Sequence, residues 1–348
     1  MNVNERNDII FGVEGGIGLI TLTRPSALNA LTHAMVKAMY HQLQVWENEP
    51  KIRAVLVAGE GRAFCAGGDV VAAYRSGKAG APPYEYFRDE YKLNACIGRY
   101  KKPYISLLDG IFMGGGAGIS VHGSHRIVTE NTLFAMPEGA IGFFPDVGAS
   151  YFLNRLSGGF GLYLGLIGAR LRWGDCVQSG IATHAVAHAD IAQLRARLIA
   201  GEAIDSLLAH FQKTVHYETS SLDRAVIAAC FKCPDLDQII KNLHYERAQG
   251  HALAQHCLDA MAKQAPVSLK VFCAQMRQSA NLSLEECLKM EYRIACRFLQ
   301  EHNFYEGVRA VLVDKDNKPQ WQPATCEAID EAQLVAYFEP LTHELDLA

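Results

Sequence analysis

Two glycine clusters are the part of this sequence best suited to chemistry. The first is Phe64-Cys65-Ala66-Gly67-Gly68-Asp69 and the second Met113-Gly114-Gly115-Gly116-Ala117-Gly118. Each follows an apolar run and precedes a helical pattern, where free N–H groups and the positive end of a helix dipole face outward. Glycine has no Cβ, so a ligand can approach the backbone to hydrogen-bonding distance. Two such loops side by side offer two N–H donors to one oxygen, which is an oxyanion hole. A single cluster would read more simply as a tight turn with close helix packing. Neither cluster spells G-x-G-x-x-G, and the chain has neither a G-x-x-x-x-G-K-[ST] phosphate loop nor a G-x-S-x-G nucleophile elbow. These gaps disfavour a dinucleotide enzyme and a serine hydrolase.

Two acids follow downstream. Glu138 and Asp146 stand among Phe134, Met136, Ile141, Phe143 and Phe144. An unpaired buried charge is costly, and burial would raise a carboxyl pKa toward the range useful for general acid–base work. The other reading, loop acids facing solvent or paired with arginine, stays open on local pattern alone. His122 and His125 have H-x-x-H spacing without an H-E-x-x-H context, which favours structural histidines over metal ligands. Cys230 and Cys233 have C-x-x-C spacing but no second pair, and read as apolar helix positions rather than a zinc or redox site.

The elements that must position these groups are legible in part. Ile17 to Leu22 reads as a strand. Thr32 reads as the N-cap of a helix carrying Met35, Met39, Leu43 and Trp46 at helical spacing. The runs 54–57 and 104–108 read as strands buried on both faces, and 126–129 and 133–135 as two shorter ones. That alternation predicts a layered α/β core. After Gly148 the pattern turns helical, over 189–213, 222–232, 235–263 and 284–300, with Ser283 and Glu286 forming a capping box. One late strand-like stretch spans Ala310 to Val313.

The chain has 348 residues, 49% hydrophobic and 20% charged, with a net charge of −4. This is an ordinary globular composition with no electrostatic footprint for nucleic acid or anionic lipid. No apolar run is long enough to span a membrane, and the first ten residues resemble neither a secretory signal nor a transit peptide. The ten cysteines are scattered singly and read as reduced thiols. The expected location is the cytoplasm, or the mitochondrial matrix for a processed eukaryotic form.

Taken together, six strings resemble the crotonase (enoyl-CoA hydratase/isomerase) superfamily, within it the branch that hydrolyses short hydroxyacyl-CoA thioesters. They are RPSALNAL at 24–31, GRAFCAGGD at 61–69, FRDEYKLN at 87–94, KPYISLLDGIFMGGGAGISVHG at 102–123, FAMPEGAIGFFPDVG at 134–148, and MEYRIACR with NFYEGVRAVLVDKDNKPQW across 290–321. The fold implied is α/β. A spiral of ββα units forms two roughly perpendicular sheets and carries the active site over 1–200, and a helical region over 201–348 packs on it. The resemblance implies Gly68 and Gly115 as oxyanion donors, with Glu138 and Asp146 as the other catalytic residues. Glu138 would be general base for water or a nucleophile giving a mixed anhydride, and Asp146 would accept from a 3-hydroxyl on the acyl group. It further implies Glu90, Gly67, Gly114, Gly116, Ala27 and Leu28 as substrate-binding positions, although Glu90 also reads as a surface acid on a helix. Neither a metal nor a separate cofactor is implied, since coenzyme A arrives as part of the substrate. The partner is a small acyl-CoA, with self-association left open. Family hydratases carry a catalytic Glu where this chain has Gly118, which favours hydrolysis. The alternatives are an enoyl-CoA isomerase or hydratase and, in another class, an acyl-CoA-binding protein without catalysis.

Overall fold

The computed structural model describes residues 8–347. The chain folds into two compact units, each drawn from three stretches of sequence.

The first unit comprises Met1–Gly68, Lys92–Phe134 and Leu171–Glu218. Among the described residues nine strands run in the order β1 (Ile9–Glu14), β2 (Ile17–Leu22), β3 (Ala54–Gly59), β4 (Ala63–Cys65), β5 (Tyr104–Leu108), β6 (Ile111–Met113), β7 (His125–Val128), β8 (Leu133–Ala135) and β9 (His184–Ala185). One sheet has the order β1-β2-β3-β5-β7-β9 and a second has β4-β6-β8. Successive strands therefore alternate between the sheets, with β3, β5 and β7 in the large one and β4, β6 and β8 in the small one. β1 and β2 pair antiparallel, and from β2 onward the large sheet is parallel. Of the parallel strands, β2, β3 and β5 are buried and mostly apolar because both faces are covered. On one face Ile17, Leu19, Leu56, Ile105 and Ile127 pack with Leu194, Leu198, Leu207 and Phe211 of the helices Ile191–Ile199 and Ile204–Phe211. The other face of β2 meets α1 (His33–Asn48), capped by the Thr32 hydroxyl accepting from Met35 N. A Cβ on Gly18 would lie 2.6 Å from the Trp46 ring, so this close approach requires glycine.

The second unit comprises Asp69–Tyr91, Ala135–Arg170 and Thr219–Ala348. It is mainly helical. α2 (Val70–Lys78) is capped by Asp69, and α3 (Tyr84–Gly98) begins here. The run Phe160–Ile167 is a short, wholly buried helix, and among the described residues no helix is long and apolar enough to cross a membrane. The expected helical stretch 235–263 is two helices, Leu236–Ala248 and Ala252–Met261, separated where Gly250 takes a φ of +89°. The Leu284–Phe298 helix has the expected capping box between Ser283 and Glu286. Ala310–Val313 is not a strand. It lies within a π-helical turn, Arg309–Val313, that continues the His302–Val308 helix. Its β-branched residues supplied a strand-like composition, and the local helix overrode it.

Candidate active site

The glycine loops leave two neighbouring strands of the small sheet. β4 and β6 pair in parallel, with Ala63 opposite Ile111 and Cys65 opposite Phe112. Parallel pairing puts both C-terminal ends on the same side, so the chain turns out of the sheet twice at adjacent points. The clusters thus follow β4 and β6 directly, rather than the longer strands at 54–57 and 104–108 from which the sequence pattern measured them.

Contacts between the loops explain why they are glycine. A Cβ on Gly116 would overlap the Cys65 carbonyl oxygen and lie 2.9 Å from its carbon. Gly67 has a φ of +125° and Gly114 of +48°, conformations that residues with a Cβ rarely adopt. A Cβ on Gly67 would stand 4.0 Å from the Gly115 nitrogen, so the backbones of the two clusters lie side by side. Gly115 is the first residue of α4 (Gly115–Gly118), with Gly114 as N-cap. The first amides of a helix have no acceptor within it, and hydrogen bonding along this turn begins with Ala117 and Gly118, both donating to Gly114 O. With only four residues, α4 contributes local amide dipoles rather than the helix macrodipole expected from the sequence.

The first loop is fixed from the other side by the 24–31 segment. Ala66 N donates to Leu28 O at 2.9 Å, and Leu31 N to Gly67 O at 2.9 Å. Ala27 and Leu28 are half-buried. Leu28 and Asn29 both hold positive φ, 50° and 58°. The wholly buried Asn29 side chain secures that turn, donating to Glu60 O and Ala63 O and accepting from Arg24 N. Asn29 has no counterpart among the residues singled out from the sequence, although an Asn flanked by apolar residues is a typical holder of a left-handed turn.

The carboxylates belong to the second unit and are buried. Glu90, Glu138 and Asp146 are 2%, 7% and 5% exposed, which decides the choice left open between buried and solvent-facing acids. Glu138 opens the 3-10 turn Glu138–Ile141, and its Oε2 has no hydrogen-bond partner among the described residues. The Tyr91 hydroxyl donates to Asp146 Oδ2 at 2.7 Å and the Tyr86 hydroxyl to Glu90 Oε1 at 3.3 Å. Next to them lies an aromatic cluster in which Phe143 packs on Phe87, Phe144, Phe298 and Phe304. Burial in these surroundings pushes the Glu138 carboxyl well above the usual carboxylate range, and the nearby charges of Asp146 and then Glu90 add to the shift. Glu90 is likewise raised by burial and then by Asp146. Asp146 is pushed up to about 7 by burial, against the stabilising hydrogen bond from Tyr91. Three acids that feel one another share a protonation equilibrium, and each holds its proton to higher pH than it would in water.

The expected site residues therefore fall into two local groups. Gly67, Gly68, Gly114, Gly115, Gly116, Ala27 and Leu28 gather in the first unit, and Glu90, Glu138 and Asp146 in the second. Gly118, at the end of α4, is buried. Tyr86, Tyr91, Ser150, Gln275 and Glu291 join the carboxylate group without having been singled out. Glu291 left one signal, an acid within the apolar stripe of its helix. The histidines of the H-x-x-H pair form no metal centre among the described residues; His125 instead meets Ser124 and Asp205. Cys230 is buried and Cys233 exposed, both as free thiols.

A crotonase-type α/β enzyme is what this fold and these loops define. The chain belongs to the enoyl-CoA hydratase/isomerase family, whose profile matches residues 17–338. It is 44% identical over 346 residues to the mitochondrial 3-hydroxyisobutyryl-CoA hydrolase of Gallus gallus, covering 96% of this chain and 89% of the relative. With the Homo sapiens protein of the same name the identity is 41% over 352 residues, covering 96% and 89%. Among solved structures, a carnitinyl-CoA dehydratase from Mycobacterium thermoresistibile matches with a TM-score of 0.92 at 44% identity, covering 98% of this chain and 99% of that one. An enoyl-CoA hydratase from Rhodobacter sphaeroides 2.4.1 matches at 0.90 and 35%, covering 96% and 98%.

Proposed function

We propose that this enzyme hydrolyses 3-hydroxyisobutyryl-CoA to 3-hydroxyisobutyrate and coenzyme A, a step of valine breakdown. The observation that carries the reading is Glu138. Its carboxyl is buried and its pKa pushed well above the usual carboxylate range, with one oxygen left without a partner among the described residues. Such a group is costly unless a ligand or reacting water meets it. The amides of Gly68 and Gly115 hold the thioester oxygen and stabilise the negative charge that forms there. Glu138 takes a proton from water as the water oxygen bonds to the carbonyl carbon. Collapse of the tetrahedral intermediate breaks the C–S bond, and the proton passes to the departing thiolate. Direct attack by Glu138, giving a mixed anhydride that water then opens, yields the same products. Asp146 accepts from the substrate hydroxyl, and Glu90 lines the same acidic group. The curated relatives at 41–44% identity support this choice of substrate.

A second reading follows from the names of the solved neighbours, a dehydratase and a hydratase. Adding water across a double bond calls for a water held between two carboxylates, and Gly118 offers no side chain where the family's hydratases carry theirs. Incubation with 3-hydroxyisobutyryl-CoA, 3-hydroxypropionyl-CoA and crotonyl-CoA distinguishes the reactions. A thiol reagent reports free coenzyme A, and enoyl absorbance reports the acyl chain. Hydrolysis releases thiol from the hydroxylated esters. Acyl-chain changes without thiol would overturn the reading in favour of a hydratase or isomerase.

A further inference from the structure

Glu291 is wholly buried on the Leu284–Phe298 helix, among apolar positions that include Cys287, Leu288, Ile294 and Phe298. A carboxylate in such a stripe needs partners, and it has four donors. Gly148 N donates to Oε2 at 2.6 Å. Ser150 N at 3.0 Å, Ser150 Oγ at 2.6 Å and Gln275 Nε2 at 3.2 Å all donate to Oε1. Gln275 Nε2 also donates to Pro145 O at 2.9 Å. One carboxylate and one amide thus grip the chain at 145, 148 and 150, on both sides of Asp146.

The gripped segment is strained. Val147 has a φ of +55°, in the left-handed region where a β-branched residue is an outlier. Such a conformation persists only when its surroundings over-determine it. Asp146 lies directly before it, with its side chain held by Tyr91 and its own carbonyl accepting from Ala149 N. We propose that Glu291 is a positioning residue for the thioester reaction: by holding the strained Val147 turn, it sets where the Asp146 carboxylate stands. The inference rests on the reading of Asp146 as the acceptor for the substrate hydroxyl. It adds that the hydroxyl's orientation is controlled from a helix far along the chain.

The experiment compares wild type, E291Q, D146N and the double variant on 3-hydroxyisobutyryl-CoA and on isobutyryl-CoA, which lacks the hydroxyl. Gln offers one acceptor oxygen and turns an NH2 toward a backbone donor, so it cannot serve both Gly148 and Ser150. A misplacement of about 1 Å is worth up to about 10²-fold in rate. E291Q is therefore expected to lower kcat/KM for the hydroxylated ester by about 10- to 10²-fold, and for the plain ester much less. In the D146N background, E291Q should add little further loss. Gln275→Met, a milder change, should show the same substrate bias at smaller size even if E291Q folds poorly. Equal losses on both esters, or losses that simply add to those of D146N, would mean a purely structural tie and overturn the proposal. A crystal structure of E291Q gives a readout independent of activity. Val147 should leave the left-handed region, and an unchanged turn refutes the inference. Absence of thiol release by the wild type would instead refute the proposed reaction.

Discussion

Gly116→Ala adds one methyl group at a position that touches no reacting atom, yet it should damage turnover severely. The new Cβ would overlap the Cys65 carbonyl oxygen and crowd its carbon at 2.9 Å and its Cβ at 3.0 Å. Two of these are backbone atoms, so no side-chain rotation relieves the clash, and the loops must part by roughly 1 Å in a closely packed interior. Oxyanion donors work at about 2.7–3.1 Å, and a donor withdrawn by that much is effectively lost. The loss of one donor corresponds to about 10²–10³ in kcat, or ~2.7–4 kcal/mol. The assay is thiol release under saturating and limiting ester, with circular dichroism and melting to confirm the fold. Overpacking alone should cost ~1–3 kcal/mol of stability. Gly12→Ala serves as a control, since Gly12, like Gly116, has no positive φ, and a Cβ there meets only the Leu19 Cβ, at 4.0 Å. It reports an added methyl without the clash and should leave turnover near wild type. A folded G116A enzyme that retains more than about a third of wild-type kcat would refute the idea that the two loops together hold the reacting oxygen.

Glu138→Gln should abolish thiol release while acyl-CoA binding, followed by calorimetry, persists; a near wild-type rate would remove Glu138 from the mechanism. Asp146→Ala should reduce turnover of hydroxylated esters more than of plain ones, and equal losses would contradict its contact with the hydroxyl. The pH dependence of stability follows from burial. Asp146 is raised from 3.8 to about 7, and Glu138 and Glu90 well above the usual carboxylate range. Below the unfolded values both states are protonated. As pH rises past them, the unfolded chain releases protons that the folded chain still holds, so stability falls until the folded groups also ionise. The melting temperature should therefore be lower at about pH 8 than at about pH 5.5, in buffers where the chain does not aggregate. D146N, with one such group removed, should flatten part of that slope, and a melting temperature rising with pH over this range would reverse the assignment.

How much of this could be read from the sequence depends on how local each cause is. Strands β2, β3 and β5 announce themselves because both faces are covered and every residue but Thr21 and Ser106 is apolar. The Thr32 cap and the Ser283–Glu286 box are likewise set within a single turn of helix. The glycine clusters are legible for a related reason. Gly116 must be glycine because Cys65 lies against it, and Gly67 because of its own φ, so packing and backbone constraints surface as residue type. β8 is read at 133–135, but its pairing with β4 and β6 into a second sheet is not visible in this way, since the three-residue β4 and β6 carry too little periodicity to separate from the longer strands before them. Asn29, Tyr91 and Glu291 escape notice because their importance is relational. Tyr91 matters through a carboxylate 55 residues away, and Glu291 through amides 141 and 143 residues away. The sequence does record the strain such contacts must offset, but only as a Val followed by a Gly, which looks like any turn. An acid on an apolar helical stripe is the one legible trace of these distant supports. Its physical meaning is definite: such a helix must meet a cluster of unpaired N–H groups, and here those belong to the turn that carries Asp146.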